Sequence, residues 1–175
     1  MMLLPPQMRL YFAYGSNLWL SQMTQRCPDA QFMSVGYVQG YEWQINQRGV
    51  ANVVPQPSND KEGVYGFLYA LTDPDVQSLD RHESTPTVYE QQSVQVLAVE
   101  DPKAADPQQD AREDVDAGKV SVEAFLYMDT KNTTKGTPKE EYVGRMNKAI
   151  DDAKAKGIPQ SYIDRVIRPY IPASS

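Results

Sequence analysis

The sequence contains one cysteine, Cys27, and one histidine, His82, in 175 residues. These counts exclude an internal disulfide framework, a CxxC redox pair and a zinc site built from several Cys and His ligands. Cys27 follows the first predicted helix, where it is better explained as a small apolar filler or an inert thiol than as a nucleophile. His82 lies at a polar helix end, where a histidine usually just meets solvent. We therefore expect no metal site.

Long apolar runs are also missing. No stretch approaches the ~18 residues that a membrane helix needs, and Met1 to Leu10 lacks the basic and long apolar regions of a signal peptide. The hydrophobic fraction of 41% and the mean hydropathy of −0.57 are typical of a globular protein. We expect a cytoplasmic location and no membrane partner.

Basic residues are fewer than acidic ones, 17 Lys and Arg against 23 Asp and Glu, which gives a net charge of −6. The basic residues are not clustered in the sequence, and binding to a nucleic-acid backbone requires clustered cations. We expect no nucleic-acid partner. The sequence is compatible with a homodimer, but no segment of it indicates one.

Length and patterning predict a single domain spanning residues 9–172, since domains of ~100–200 residues are the common case. The chain has no internal repeats. Residues 100–119 form an insert with seven acids, three bases and two prolines. Low hydrophobicity and excess charge are typical of a flexible loop, so we predict no site in this acidic insert.

Hydrophobic periodicity predicts several strands interspersed with helices. The predicted strands cover residues 10–14, 34–45, 50–54, 63–71, 87–99 and 120–128. The apolar run from Gly63 to Leu71 is typical of a central strand buried on both faces, and Gly66 within it indicates that another group approaches the backbone closely. The predicted helices begin near Leu18, Asp73, Thr137 and Pro159.

The stretch Tyr11 to Leu18, with the sequence YFAYGSNL, reads as a buried strand, a tight turn and the start of a helix. Gly15 can adopt a positive φ, and Ser16 and Asn17 are residue types that cap helices. Such a turn presents backbone N–H donors at the positive end of a helix, where a carboxylate or an oxyanion can bind. Many α/β proteins also need such a turn for structural reasons alone.

A second candidate is Glu83, at the end of a helix that starts with Thr72-Asp73-Pro74. Val76, Leu79 and Glu83 fall at positions i, i+3 and i+7, so the carboxylate extends the apolar face. Most glutamates near a helix end are solvated surface groups. A carboxylate carried inward instead loses hydration, which raises its pKa and suits it to general acid/base catalysis near neutral pH.

YFAYGSNL resembles the signature of the γ-glutamylcyclotransferase family, and further family landmarks follow in the same order. They are Gly63 to Leu71, Leu79-Asp80-Arg81-His82-Glu83, Val88-Tyr89, Thr137 to Tyr142 and Gly157-Ile158-Pro159. The resemblance implies an α+β fold with a mixed, strongly curved β-sheet or small barrel flanked by helices. Phe125 departs from the pattern, because the family often has a pocket tyrosine there, and Tyr127 is the nearest hydroxyl that could replace it.

The resemblance also implies a reaction. The α-amine of a γ-glutamyl group attacks its own γ-carbonyl, which forms 5-oxoproline and releases an amino acid or amine without a cofactor. Glu83 matches the family's catalytic glutamate. The implied partner is a small-molecule γ-glutamyl substrate, and the implied substrate-binding residues are Tyr11, Phe12, Ala13, Tyr14, Gly15, Ser16, Asn17, Leu18, Tyr89 and Tyr142.

Other functions remain open at this point. The nearest are a γ-glutamylamine cyclotransferase and an enzyme that processes a γ-glutamyl or glutathione-derived conjugate in a biosynthetic pathway. A different class is a non-catalytic small-metabolite-binding module, which Glu83 disfavours because an inward carboxylate would repel an anionic ligand. An interaction domain that uses the acidic insert is the weakest alternative.

Overall fold

Five strands close into a barrel in the computed structural model, which describes residues 7–56, 63–83, 88–99 and 119–174. Seven strands are described: β1 (Arg9–Ala13), β2 (Gln31–Gln39), β3 (Tyr41–Ile45), β4 (Ala51–Pro55), β5 (Gly63–Leu71), β6 (Glu90–Val99) and β7 (Lys119–Met128). The barrel order is β1-β5-β2-β6-β7, and β3 and β4 form a separate two-stranded sheet. The parallel pair β1 and β7 closes the barrel, while its other pairs are antiparallel. This mixed barrel with flanking helices confirms the predicted fold.

Helices flank the barrel. A short 3-10 turn (Ser16–Leu18) leads into α1 (Leu20–Arg26), and the later helices are α2 (Asp73–His82), α3 (Glu140–Lys156) and α4 (Gln160–Tyr162), the last continued by a π-helical turn (Ile163–Ile167). Thr72 caps α2 by accepting a hydrogen bond from the N–H of Asp75 at 3.3 Å, as predicted. In the part of the chain that the structure describes, no helix is long and apolar enough to cross a membrane.

Strand β5 lies between β1 and β2 in the barrel. It pairs with both β1 and β2, and all nine of its residues are buried, which confirms the prediction of a strand covered on both faces. At Gly66 a Cβ atom would lie 2.2 Å from the carbonyl oxygen of Ala13 and 2.7 Å from the ring of Phe12. The close approach predicted from this glycine is therefore present.

The predicted strand over residues 34–45 is wrong in its extent, because two strands occupy the region. Gly40 separates them with a left-handed φ of 87°, and the chain passes there from the barrel to the two-stranded sheet. Gln44, in β3, is only 3% exposed. Its side-chain nitrogen donates to the carbonyl of Thr133 at 3.1 Å, while its Oε1 has no hydrogen-bond partner among the described residues.

The helix start predicted near Thr137 is also wrong. Helix α3 begins at Glu140 with Lys139 as its N-cap residue and without a side-chain cap. The preceding backbone is held extended by tertiary bonds, since Gly136 N–H donates to Ile45 and Lys139 N–H donates to Gly49. The inward face of α3 comprises Tyr142, Met146, Ile150 and Ala153, which are buried, and the helix ends at Gly157 with a left-handed φ of 105°.

The acidic insert falls outside the described residues, except that Lys119 begins β7.

Candidate functional site

A cleft of about 150 Å³ opens where β1, the end of α2 and the start of α3 converge. Polar groups dominate its wall, with several tyrosines, three arginines and one carboxylate. The lining comprises Tyr11, Tyr14, Gly15, Ser16, Asn17, Arg26, Arg48, Val50, Ala51, His82, Glu83, Tyr89, Tyr127, Tyr142 and Arg145.

The turn after β1 forms one wall of the cleft, although its conformation differs from the prediction. Gly15 has φ −120° and ψ −129°, so it does not use a positive φ. Glycine is required for space instead, because a Cβ atom would lie 2.9 Å from Ala51 Cβ and 3.1 Å from the hydroxyl of Tyr142. Neither Ser16 nor Asn17 caps a helix, since the 3-10 turn and α1 both lack a side-chain cap.

Asn17 instead organises this wall with its side chain and its backbone. It is 4% exposed, and its amide nitrogen donates to the hydroxyl of Tyr11 at 2.9 Å. Its amide oxygen accepts from Gln22 at 2.9 Å and from Arg26 at 3.1 Å, and its carbonyl accepts from the hydroxyl of Tyr69 at 2.9 Å. Because the side-chain amide of Asn17 and its backbone carbonyl are all hydrogen-bonded, these contacts fix the position of the turn.

Tyrosine hydroxyls fix the rest of the wall. Tyr14 donates to the carbonyl of Tyr127, and Tyr89 donates to the carbonyl of Ala51 at 3.1 Å. The hydroxyl of Tyr142 accepts from the N–H of Ala51 at 3.2 Å. Burial raises the pKa of the phenols of Tyr14, Tyr89, Tyr127 and Tyr142, with Glu83 a further cause at Tyr14, Tyr89 and Tyr142. They are therefore neutral hydrogen-bonding groups at physiological pH.

The end of α2 is attached to the barrel through Asp80. Its Oδ1 accepts from the hydroxyl of Tyr127 at 2.7 Å and from the amide of Gln91 at 2.8 Å. These bonds join the helix to β6 and β7, one turn before Glu83. Phe125 is 5% exposed and is not part of the cleft lining. Tyr127 is the residue of β7 that lines the cleft, and it carries a hydroxyl group.

Glu83 directly follows α2, where its N–H donates to the carbonyl of Leu79 at 2.8 Å. Val76 and Leu79 are buried in the core, and Glu83 continues their face into the cleft, as the spacing predicts. Burial raises the pKa of Glu83 from 4.5 to about 7, while Arg26, Arg48 and Arg145 lower it. A carboxyl group with this pKa can both accept and donate a proton near neutral pH.

The three arginines of the lining were not predicted from the sequence. They come from the end of α1, from the β3–β4 turn and from the second turn of α3. Arg145 lies four residues after Glu141 and forms an ion pair with it at 2.7 Å. That spacing is a recognisable helix signal, but nothing in the sequence brings the three guanidinium groups together.

The predicted site residues separate into two groups. Eight of the eleven line the cleft: Tyr11, Tyr14, Gly15, Ser16, Asn17, Glu83, Tyr89 and Tyr142. Phe12, Ala13 and Leu18 are 0–1% exposed and pack in the core, outside the lining. Alternation along β1 explains part of this division, because neighbouring residues of a strand point to opposite faces.

Cys27 and His82 lie where the sequence predicts. Cys27 is buried, its thiol donates to the carbonyl of Asp75 at 3.4 Å, and burial raises its pKa to about 12, which makes the thiol inert. His82 is exposed at the rim of the cleft, and partial burial with the nearby Arg26 and Arg81 lowers its pKa. Among the described residues, no group of three or more His, Cys, Asp or Glu side chains could hold a metal ion.

The raised pKa of Glu83 predicts a stability effect that is independent of activity. The unfolded chain loses this proton near pH 4.5 and the folded chain near pH 7, so wild type loses stability over that interval as pH rises. Glu83→Gln cannot lose stability in this way. We therefore expect its free energy of unfolding, relative to that of wild type, to rise by about 2 kcal/mol between pH 4.5 and pH 7.5, a value that allows for solvent at the open side of the cleft. Urea unfolding at the two pH values measures the gain. A constant difference between the two proteins would contradict the raised pKa.

Comparisons with known proteins agree on one family. The family model described as "Gamma-glutamyl cyclotransferase, AIG2-like" matches residues 11–143. A human γ-glutamylcyclotransferase is 25% identical over 175 residues, covering 87% of this chain and 90% of the relative. A bovine γ-glutamylcyclotransferase is 30% identical over 84 residues, covering 42% of this chain and 43% of the relative.

Solved structures show the same fold. A γ-glutamyl cyclotransferase superposes with a TM-score of 0.71 at 21% identity, covering 96% of this chain and 90% of the other. A yeast γ-glutamyl cyclotransferase described as specific to glutathione superposes with a TM-score of 0.54 at 12% identity, covering 83% of this chain and 87% of the other.

Proposed function

Because the chain belongs to the gamma-glutamyl cyclotransferase, AIG2-like family, we propose that it cyclises a γ-glutamyl group to 5-oxoproline and releases an amino acid or amine. The observation that carries this proposal is the carboxyl group of Glu83. It faces a cleft lined by the turn after β1, and its pKa of about 7 suits proton transfer at neutral pH.

In the proposed reaction Glu83 first acts as a base and then as an acid. Its carboxylate takes a proton from the substrate's α-ammonium group, which frees the amine to attack the γ-carbonyl carbon of the same molecule. The attacking nitrogen becomes positively charged as the new C–N bond forms, and it loses a second proton to give the lactam N–H. The C–N bond to the leaving group breaks as Glu83 gives its proton to the departing nitrogen, and the second proton leaves with the released amine in its ammonium form. The two protons lost by the attacking nitrogen are thus the two gained by the departing nitrogen.

The turn after β1 is the proposed anion-binding element. Gly15, Ser16 and Asn17 line the cleft, and we assign their backbone N–H groups to the substrate's α-carboxylate and to the carbonyl oxygen as it becomes negatively charged. Each such donor contributes roughly 3 kcal/mol to transition-state stability in comparable oxyanion sites. The hydrogen bonds of Asn17 support this role, because they hold the turn in place before substrate binds.

Rigidity of the cleft is expected to accelerate the reaction further. Nucleophile and electrophile belong to one flexible molecule, so holding it folded removes much of the entropic barrier to cyclisation. The paired phenols of Tyr14, Tyr89 and Tyr142 provide fixed walls against which the substrate can fold. No step of the proposed reaction uses the buried thiol of Cys27.

Release of 5-oxoproline tests the proposal. Purified protein is incubated with γ-glutamyl amino acids, γ-glutamyl-lysine linked through its ε-amine, and glutathione, and 5-oxoproline is quantified by chromatography. Turnover of at least one compound supports the proposal, and the ranking separates a γ-glutamylamine or glutathione-directed enzyme from one that prefers simple γ-glutamyl amino acids. Binding of a panel member without any 5-oxoproline release would favour the non-catalytic binding module instead.

A further inference from the structure

More cationic than anionic side chains line the cleft. Three guanidinium groups, those of Arg26, Arg48 and Arg145, lie in the same lining as one carboxylate, that of Glu83. All three lower the pKa of Glu83, so all three are close enough to act on the reacting region. Two of them have carboxylate partners outside the lining, Glu141 for Arg145 and Asp129 for Arg48. A negative group of the substrate can therefore bind to the guanidinium N–H donors that these partners leave free.

Arg26 and Arg145 belong to the side of the cleft formed by the turn after β1. Arg26 donates to the side chain of Asn17 at 3.1 Å, and Arg145 donates to the side chain of Gln22 at 3.2 Å. Arg145 is further occupied by Glu141, to which it makes two hydrogen bonds of 2.7 and 3.0 Å. Arg26, with no carboxylate partner among the described residues, is the guanidinium best placed to assist the turn in binding the α-carboxylate.

Arg48 belongs to a different wall. It lies in the turn between β3 and β4, with its guanidinium carbon 5.7 Å from the ring centre of Tyr89. Its contact with Asp129 is long, at 3.5 Å, and the carboxylate of Asp129 already accepts three hydrogen bonds, from the N–H groups of Lys131 and Asn132 and from the side chain of Asn132. Arg48 is thus anchored but retains N–H donors for a ligand.

We propose that Arg48 binds a second carboxylate of the substrate, the one carried by the leaving amine, so that the substrates are γ-glutamyl amino acids or short γ-glutamyl peptides rather than γ-glutamyl amines. This inference rests on the proposed cyclotransferase function. Its basis is the division of the cations between two walls. The α-carboxylate common to all γ-glutamyl compounds is assigned to the turn and Arg26, which leaves Arg48 for the group that distinguishes one compound from another.

A matched pair of compounds isolates this carboxylate. γ-Glutamyl-alanine and γ-glutamyl-ethylamine differ only in the carboxylate of the leaving group. We expect wild type to prefer γ-glutamyl-alanine by about 10- to 100-fold in kcat/KM, the usual effect of a hydrogen bond to a charged group. Arg48→Gln should reduce that preference to about threefold or less, and Arg48→Lys, which keeps the charge without the planar fork, should retain part of it.

Two further variants separate the roles of the arginines. Arg26→Gln removes a positive charge from the turn side of the cleft, and we expect it to lower kcat/KM for both compounds by a similar factor. Arg165→Gln removes an exposed arginine that is not in the cleft lining, and it should leave the preference unchanged. A circular dichroism melt of each variant identifies any loss of folding.

Failure of this inference is distinguishable from failure of the proposed function. Turnover of both compounds at similar kcat/KM by wild type would overturn the role of Arg48 and leave the cyclotransferase function intact. Calorimetric binding to Glu83→Gln provides a readout without turnover. Tighter binding of γ-glutamyl-alanine that Arg48→Gln abolishes supports the subsite even if 5-oxoproline is never released, and equal binding of the two compounds overturns it.

Discussion

Replacing Glu83 with glutamine is expected to lower kcat/KM for 5-oxoproline release by about 10²- to 10⁴-fold, the range that general acid/base groups contribute. Glutamine keeps the shape of the side chain but can neither accept the proton of the α-ammonium nor return one to the leaving amine. The residual activity would come from the folded binding of the substrate and from the donors of the turn. Continuous measurement of the released amino acid, calibrated against 5-oxoproline, gives both rates.

The pH dependence of wild type makes this prediction specific to proton transfer. Since only the ionised carboxyl can act as the base, kcat/KM should rise as pH passes through about 7, the pKa of Glu83. Glu83→Gln should lose this inflection. Glu140→Gln, which removes an exposed carboxylate from the first turn of α3 outside the cleft lining, is the matched control and should keep both rate and profile. Activity of Glu83→Gln within tenfold of wild type would contradict a general-base role.

The largest expected loss of stability comes from Gly66→Ala. The added methyl group would meet the backbone oxygen of Ala13 at 2.2 Å, and backbone in a paired strand cannot move aside as a flexible side chain can. Strands β1 and β5 would have to separate locally, at an expected cost of about 3 kcal/mol or more in the free energy of unfolding. Because β1 leads directly into the turn that lines the cleft, we expect cyclotransferase activity to fall in parallel.

Gly144→Ala is the matched control for this substitution. Gly144 is exposed within α3, and no atom lies within 4 Å of the position of its Cβ. Alanine there should stabilise the protein by about 0.5–1 kcal/mol, because it favours the helix and restricts the unfolded chain. Urea unfolding of the two variants against wild type measures both effects. Equal stabilities of Gly66→Ala and wild type would show that β1 and β5 can adjust around the added methyl group.

Local sequence signals were sufficient where one element decides its own structure. The apolar run of β5 predicted a fully buried strand, and Thr72 predicted the start of α2. The spacing of Val76, Leu79 and Glu83 directed the carboxylate inward because helical periodicity alone decides which residues share a face. These predictions needed no information about distant parts of the chain.

Tertiary contacts overruled local signals at two positions. Thr137 has a capping sequence, yet backbone bonds from Gly136 to Ile45 and from Lys139 to Gly49 keep the segment extended. Gly15 was expected to use the conformational freedom of glycine, but it is needed for space beside Ala51. In each case the energy of a contact made across the fold exceeded a local preference of about 1 kcal/mol.

The arginines that give the cleft its positive charge were the part of the site least predictable from the sequence. The resemblance of the eight-residue stretch from Tyr11 to a family signature indicated the family, and helical spacing directed the carboxyl group of Glu83 inward. The convergence of Arg26, Arg48 and Arg145 required the tertiary structure, because each comes from a different element and none shares a periodic pattern with another. Residues adjacent on one helix or strand can be predicted from its period, whereas residues that meet only when the barrel closes cannot.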